Sequence, residues 1–337
     1  MTNLAGGNIG DMSDLTAPEL TTPQLFLSRT AEAVHADRDL RRAYERGEYV
    51  RILPGVFVRK SDYAQLNYDA RYRLRVQAAA RHTPGTQFSH DSAAVMLRMP
   101  TTGPWSKSLH ALAPRADGGR STSLVSRHCV DLDASPLEID GVTVTSLART
   151  AVDIAASQPF TRAVGMVDDA LRQPDPQNVD DVRARYGLAQ ATKAEMHAIL
   201  DAQESARGKR KATTVIDFAD GSSGSVFESR SRAAMHLLGM PAPLLQVPFY
   251  DEHGLIGYVD FYWPDLNVIG EADGFEKYRN PKFLRGRTPE QALRDEKDRE
   301  NRLRRQGPLV ARWDPPILSD LRRFVARLAP FGIRPTR

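Results

Sequence analysis

Three carboxylates stand close together in the stretch GYVDFYWPDLNVIGEADGFEKY, residues 257–278. The pattern predicts two strands joined by a Pro-Asp turn, with Asp260 on the first strand and Glu271 and Asp273 on one face of the second. Carboxylates are costly to bury without a cation, so they need a partner or a metal ion at such positions. Magnesium prefers one or two carboxylates together with water and phosphate. The stretch is therefore a metal site, the remains of one, or ordinary surface, and the rest of the chain has to decide between these alternatives.

The elements that must position these carboxylates form a series in the last third of the chain. A helix is predicted from about Ser225 to Gly239, with Glu228 in its first turn, and a strand follows through Gln246 and Phe249. After the two carboxylate strands come a long charged helix, PEQALRDEKDRENRLRRQG, and a last strand, PLVARWD. Helix, three-stranded meander, helix and strand is the core order of the restriction-endonuclease-like fold.

This segment, about residues 222–325, resembles the Vsr-like family of the PD-(D/E)XK endonuclease superfamily. The resemblance lies in the motifs FESRSR, GMPAPLLQ, VDFYWPDLNVIGEADG, EKDRENRLRRQG and VARWD. It implies that Asp260 and Glu271 are the metal carboxylates and that Glu228 supports them from the preceding helix. A magnesium-dependent DNA endonuclease is the activity that follows from it.

One position departs from the pattern of this family. These nucleases carry a lysine two positions after the second metal carboxylate, where this chain has Asp273, and Lys277 is the candidate substitute. A cation at this position favours hydroxide formation and stabilises the charge that develops on the phosphate. Three alternatives stay open: an active nuclease, a nuclease fold that binds without cutting, and a purely structural domain.

Basic residues follow the carboxylates and suit contact with DNA phosphates. They are Arg279, Lys282, Arg285, Arg287, Arg302, Arg304 and Arg305. The alternating charges from Glu296 to Glu300 are equally typical of a solvated helix face that contacts no ligand. The basic residues alone do not decide between these interpretations.

A second basic stretch lies near the N-terminus, DRDLRRAYERGEYVRILPGVFVRK, residues 37–60. It predicts a short helix ended by Gly47 and then a hairpin around Pro54-Gly55, which is how a winged helix-turn-helix ends. The basic residues on the helix and wing suit contact with duplex DNA; they are Arg38, Arg41, Arg42, Arg46, Arg51, Arg59 and Lys60. The alternative is a solvated basic helix packed on its neighbour.

Residues 62–177 show no nucleophile constellation and no Gly-rich phosphate loop. His90, His110 and His128 lack metal-ligand spacing along the chain, which favours structural or surface roles for them. Arg149 and Asp153 are four residues apart on one predicted helix, a spacing that favours an intrahelical ion pair.

Three motifs of the front half, LRRAYERGEYVRILPGVFVRKSDY, SHDSAAVMLRMP and IDGVTVTSLARTAVDIA, resemble the actinobacterial AbiEi-type antitoxins. These are regulators of type IV toxin–antitoxin systems, which act in abortive phage infection. The resemblance covers about residues 25–175. It implies a winged-helix DNA-binding domain, an α/β antitoxin domain, autorepression of an operon, and a nucleotidyltransferase-like toxin as partner.

The whole sequence predicts an α+β or α/β multidomain protein. The expected parts are a disordered tail (1–21), a winged helix (22–61), an antitoxin-like α/β domain (62–177), a helical linker (178–221) and a restriction-endonuclease-like domain (222–337).

A formal charge of +4 and a pI near 9.2 permit a nucleic-acid partner. One cysteine excludes an internal disulfide framework, and the lack of a long apolar run or an apolar leader predicts a cytoplasmic protein without membrane contact.

Two functions therefore stay open. The first is a DNA-binding regulator of the antitoxin type, whose last domain assists binding to DNA or to a partner, a second copy of the chain included. The second is an Mg2+-dependent nuclease of phage defence that uses the front domains for targeting.

Overall fold

The computed structural model describes residues 23–27, 34–114, 119–178, 180–273 and 288–336. Its architecture is mixed α+β, which confirms the fold class at that level. The chain divides into two compact units, Met1–His82 and Thr83–Arg337. Within the described ranges, no helix has the length and the apolar character needed to cross a bilayer.

The first unit combines a small antiparallel sheet with helices. Its elements are β1 (Phe26–Leu27), α1 (Val34–Glu45), β2 (Tyr49–Leu53), β3 (Val56–Arg59), α2 (Lys60–Gln65) and α3 (Tyr68–His82). The predicted hairpin is present: β2 pairs with β3, and Gly55 between them has a φ of 76°, which glycine adopts without strain. Strand β1 pairs with the other edge of β3, so the order is β1-β3-β2.

The second unit begins with a mainly helical part. Its helices are α4 (His90–Met96), α5 (Leu147–Ser157), α6 (Phe160–Leu171), α7 (Val182–Arg185), α8 (Lys193–Ala202) and α9 (Lys209–Phe218). The parallel pair β4 (Leu109–Ala113) and β5 (Val125–Cys129) and the antiparallel pair β6 (Leu137–Ile139) and β7 (Val142–Val144) accompany them. Helix α5 begins after Ser146, whose hydroxyl accepts a hydrogen bond from the Arg149 amide. The predicted Arg149–Asp153 ion pair is present, with Nε 3.0 Å from Oδ1.

A four-stranded sheet forms the second part of this unit. The elements are α10 (Val226–Leu237), β8 (Leu244–Asp251), β9 (Gly254–Trp263), β10 (Val268–Ala272), α11 (Pro289–Arg305), β11 (Leu309–Trp313) and α12 (Leu321–Leu328). Strands β8, β9 and β10 form an antiparallel meander, and β11 lies parallel to β10 at the edge. The predicted order of helix, three strands, helix and strand is therefore present.

Aromatic side chains fill the core beneath this sheet. Phe261, Trp313 and Phe324 contact one another there, with ring centroids 5.4 Å apart for the first two and 5.7 Å for the last two. A Cβ atom on Gly270 would lie 2.8 Å from the rings of both Trp263 and Trp313. Strand β10 therefore needs glycine at this position so that the two indoles can pack over it.

The division into units differs from the predicted domain boundaries. Helix α3 belongs with the front unit, which therefore extends beyond residue 61 to His82. The expected boundary near Gly221 falls inside the second unit, because Arg232 of α10 forms a buried ion pair with Asp168 of α6 at 2.8 Å. Arg172 also donates two hydrogen bonds to the Ser223 carbonyl oxygen. Polar contacts thus hold α10 against the preceding helices.

Candidate functional site

A polar row crosses the C-terminal sheet in strand register. Gln246 lies between two residues of β8 that pair with Phe261 and Val259, so it is opposite Asp260 on β9. The β9–β10 pairing reaches Gly270↔Phe261, which places Asp260 beside Glu271. Glu271 in turn pairs in register with Arg312 on β11. Residues opposite one another on neighbouring strands share a face, so the two predicted metal carboxylates lie side by side.

Both of these carboxylates have protein partners. Asp260 Oδ2 accepts a hydrogen bond of 2.8 Å from the Ala272 amide, and Glu271 Oε1 lies 3.0 Å from Arg299 Nη2. Glu271 is only 4% exposed, and burial raises its pKa to about 7, against the opposing effects of Arg299 and Arg312. Burial by itself lowers the pKa of Arg299. The nearby carboxylates of Glu271, Glu296 and Asp260 have the larger combined effect, so the pKa of Arg299 is raised.

Asp273, the residue in the expected lysine position, belongs to the same ionic network. Its Oδ2 lies 3.0 Å from Arg312 Nη1, while Arg312 Nη2 lies 2.8 Å from Glu296 and 3.2 Å from Glu300. Two guanidinium groups thus link four carboxylates of the sheet and helix α11. For Glu296, Arg299 and Glu300, the interpretation of the α11 charges as a solvated helix face is wrong. Their i, i+3, i+4 spacing places the three side chains on the side of the helix that faces the sheet.

Glu228 has a structural role at the start of α10. Its carboxylate accepts hydrogen bonds from the Gly224 amide (2.6 Å), the Ser225 hydroxyl (2.9 Å) and Gln246 Nε2 (3.0 Å). The first two contacts stabilise the helix N-terminus, where orphan donors and the helix dipole favour an anion. The third contact connects Glu228 to the polar row, since Gln246 stands opposite Asp260.

The predicted residues are therefore neighbours in one network, but they do not converge on one point. In the described part of the chain, only one group of three or more potential ligands has its atoms within 4.8 Å of one another, and it contains no carboxylate. Asp260, Glu271, Asp273 and Glu228 therefore form no group of this kind among the described residues, and each accepts from a donor of its own. Lys277 and the basic residues Arg279, Lys282, Arg285 and Arg287 lie outside the described residues.

The predicted DNA-contacting side chains of the first unit are all exposed. They are Arg38, Arg41 and Arg42 on α1, Arg46 just after its end, and Arg51, Arg59 and Lys60 on the hairpin and just after it. Arg41 and Arg42 have loose helical partners at 3.9 Å, Glu45 and Asp39. Arg46 is held more closely, with Nε 2.6 Å from Glu48 Oε1. The helix therefore offers two weakly engaged guanidinium groups and one that is already paired.

The group of potential ligands consists of His90, His110 and His128, which the sequence did not bring together. They come from the start of α4, from β4 and from β5. They lie together despite their spacing along the chain, because β4 pairs in parallel with β5 and α4 packs on β4. No spacing along the chain signals this, since 20 and 18 residues separate them.

No family model matches the sequence. Two Mycobacterium tuberculosis proteins, Uncharacterized protein MT2308 and Uncharacterized protein Rv2248, are each 30% identical to this chain over 191 residues, or 57% of it. The chain covers 60% of the length of these curated relatives. The crystal structure of the RV2827C protein from M. tuberculosis matches with 13% identity and a TM-score of 0.37, over 68% of this chain and 85% of that one. These likenesses assign no activity to the chain.

Proposed function

We propose that this protein is a DNA-binding transcriptional regulator of the type IV antitoxin kind, with a nuclease-like C-terminal domain that assists binding. The observation that carries the proposal is the exposed basic helix followed by a basic hairpin in the first unit. Duplex DNA is the proposed partner, and the resemblance to AbiEi-type antitoxins adds a nucleotidyltransferase-like toxin. A second copy of the chain would suit a two-fold symmetric operator.

The strand order of the first unit supports a winged-helix interpretation. In a winged helix, a short strand precedes the recognition helix, and it pairs with the second strand of the hairpin that follows. Here β1 precedes α1 and pairs with β3, and β2 and β3 form the hairpin. Helix α1 would then enter the major groove, and the hairpin would lie along the phosphate backbone.

Charge supports the same interpretation. Between residues 34 and 82 the chain has eleven Lys and Arg residues against six Asp and Glu residues. The side chains of Arg41 and Arg42 are 83% and 71% exposed, so phosphates can reach them without displacing a buried partner. Phosphate contacts of this kind supply salt-dependent affinity and do not by themselves read the sequence.

The C-terminal sheet supports binding without cutting. A PD-(D/E)XK nuclease uses a cation beside its metal carboxylates, whereas this chain has a third carboxylate, Asp273, bound to Arg312. Arg299 Nη2 already lies 3.0 Å from Glu271 Oε1. A magnesium ion would have to displace that guanidinium from a buried site, which costs free energy.

Neutralising the helix arginines tests the proposal. We expect that replacing Arg41, Arg42 and Arg46 with glutamine weakens binding to duplex DNA about tenfold or more at moderate salt. Each lost phosphate contact removes ~0.9 from the slope of log K against log salt, so the slope should become shallower by up to ~2.7. Fluorescence anisotropy with labelled duplexes across a salt series measures both quantities.

A matched control removes the same charge elsewhere. Arg207, Arg322 and Arg323 are exposed arginines of the second unit, and their replacement with glutamine should leave affinity and slope nearly unchanged. Equal losses in the two triple variants would mean that net charge alone drives binding. If the slope of log K against log salt is the same for the Arg41, Arg42 and Arg46 variant as for the wild type, the winged-helix interpretation is wrong.

A magnesium-dependent nuclease is the second candidate, and one observation favours it. Asp260 and Glu271 lie side by side in register on adjacent strands, and Arg299 brings a cation to them from helix α11. A cation supplied from the helix would take the place of the absent lysine. Mg2+ held by these two carboxylates would supply Lewis-acid chemistry to a phosphodiester.

Cleavage assays separate the two candidates. The regulator proposal predicts that supercoiled plasmid stays intact with 10-fold excess protein and millimolar Mg2+ or Mn2+. Nicking by the wild type that is lost in Asp260→Ala, with DNA affinity retained, would instead establish the nuclease. Nicking that persists in Asp260→Ala would point to a contaminating enzyme.

A further inference from the structure

His90, His110 and His128 lie on elements that backbone hydrogen bonds hold together. The His110 carbonyl oxygen accepts a hydrogen bond from the Ser89 amide, and the His110 amide donates to the Ser92 hydroxyl at 2.8 Å. These contacts hold the start of α4 against β4. His128 lies two positions beyond the register partner of His110 on β5, so both rings lie on one face of the pair. The cluster therefore belongs to ordered secondary structure.

The imidazole groups lie close enough to share one ion. His110 Nδ1 is 2.9 Å from His128 Nε2, and one nitrogen from each of the three rings lies within 4.8 Å of the others. Two nitrogens bound to a tetrahedral zinc ion at ~2.0–2.1 Å stand roughly 3.4 Å apart, so His110 and His128 need to separate only slightly. The rings of His90 and His128 are stacked, with centroids 3.9 Å apart. Binding therefore also turns these rings about χ2, a torsion with broad preferences.

A buried carboxylate stands behind the cluster. Asp153 Oδ2 lies 3.6 Å from His90 Nδ1 and has no hydrogen-bond partner among the described residues, while Oδ1 accepts from Arg149. The Ser89 hydroxyl also lies 3.0 Å from His90 Nδ1. These groups leave Nε2 of His90 for a ligand. A histidine that binds a metal commonly donates its other N–H to a carboxylate, so Asp153 is placed as such a partner.

The protonation states and the backbone fit this role. Burial lowers the pKa of all three histidines, and for His90 and His128 the neighbouring histidines lower it further. Neutral imidazole is the form that binds metal. His90 also has a φ of 50°, a left-handed conformation that is uncommon outside glycine and that clusters at functional sites. Arg149, which is paired with Asp153, also lowers the pKa of His90 and His128.

We propose that His90, His110 and His128 bind a divalent first-row transition metal ion such as zinc, and that Asp153 positions His90. Three imidazole ligands suit zinc, copper or nickel and do not suit magnesium or calcium, which prefer oxygen. The rings are only partly buried, so a water molecule can occupy the fourth position and the ion can enter from solvent. This site is independent of the DNA-binding proposal.

Calorimetric titration of the full-length, untagged protein with zinc tests the site. After removal of metal with a chelator, the wild type should bind one zinc ion per chain. His128→Ala should weaken binding at least tenfold, whereas His253→Ala, which removes an exposed histidine elsewhere, should not change it. Asp153→Asn should weaken binding by about 10–100-fold, as expected for a residue that orients a ligand.

Cobalt provides a second readout that does not depend on the variants. Co2+ added to the wild type should give the intense visible absorption of a four-coordinate ion, and zinc should displace it. A weak, octahedral spectrum with the wild type would overturn the proposal. Equal zinc affinity of the wild type and His128→Ala would also overturn it, and His128→Gln serves for this comparison where the alanine variant does not fold.

Discussion

Replacing Asp168 with alanine should destabilise the second unit by roughly 3–5 kcal/mol, because it leaves the buried guanidinium of Arg232 without its partner. Asp168 is fully buried, and both of its oxygens accept from Arg232 Nη2, at 3.0 and 2.8 Å. Its Oδ1 also accepts from the Asp220 amide at 2.7 Å. One carboxylate thus holds α6, α10 and the segment between α9 and α10 together, and its burial raises its pKa despite Arg232.

Urea unfolding followed by circular dichroism measures this effect. Glu252→Ala removes an exposed carboxylate and should change the free energy of unfolding by less than about 0.5 kcal/mol. The double variant Asp168→Ala with Arg232→Met should recover part of the loss, since no uncompensated charge remains buried. A loss below 1 kcal/mol for Asp168→Ala alone would show that this ion pair does not join the helices.

The buried carboxyl of Glu271 should make stability fall as pH rises from about 4.5 to 7. Its pKa is about 7 in the folded chain, against an ordinary value of 4.5, because burial disfavours the charged form. In this window the folded state binds the proton more tightly than the unfolded state, so raising the pH removes stabilisation. The full effect is at most roughly 3 kcal/mol, at 1.36 kcal/mol per pKa unit.

Glu271→Gln isolates this contribution. The amide keeps the size of the side chain and a carbonyl oxygen for Arg299 but has no proton to lose. The free energy of unfolding of this variant, measured in buffer with EDTA, should therefore rise relative to that of the wild type between pH 4.5 and 7. Glu252→Gln, on the surface, should parallel the wild type. Parallel curves for Glu271→Gln as well would mean that folding does not raise the pKa of Glu271.

Local features of the fold could be read from the sequence because neighbouring residues decide them. Ser225 and Ser146 begin helices through their own hydroxyl groups, and Gly55 sits at the hairpin turn where φ is positive. The order of elements in the last domain follows from the same local signals. The adjacency of Asp260 and Glu271 also follows from sequence, because a short Pro-Asp connection leaves two strands few ways to pair.

Only the tertiary structure decided which charges and rings meet. Arg299 reaches Glu271 across 28 positions of the chain and Arg312 reaches Asp273 across 39, so one carboxylate predicted for magnesium and the carboxylate in the lysine position are bound to arginine. The same is true of Asp168 and Arg232, 64 positions apart, which join what the sequence divided near Gly221. His110 and His128 meet because β4 and β5 pair in parallel. Periodicity determines which face of an element a residue occupies, whereas the partner of that face depends on packing between elements distant in sequence.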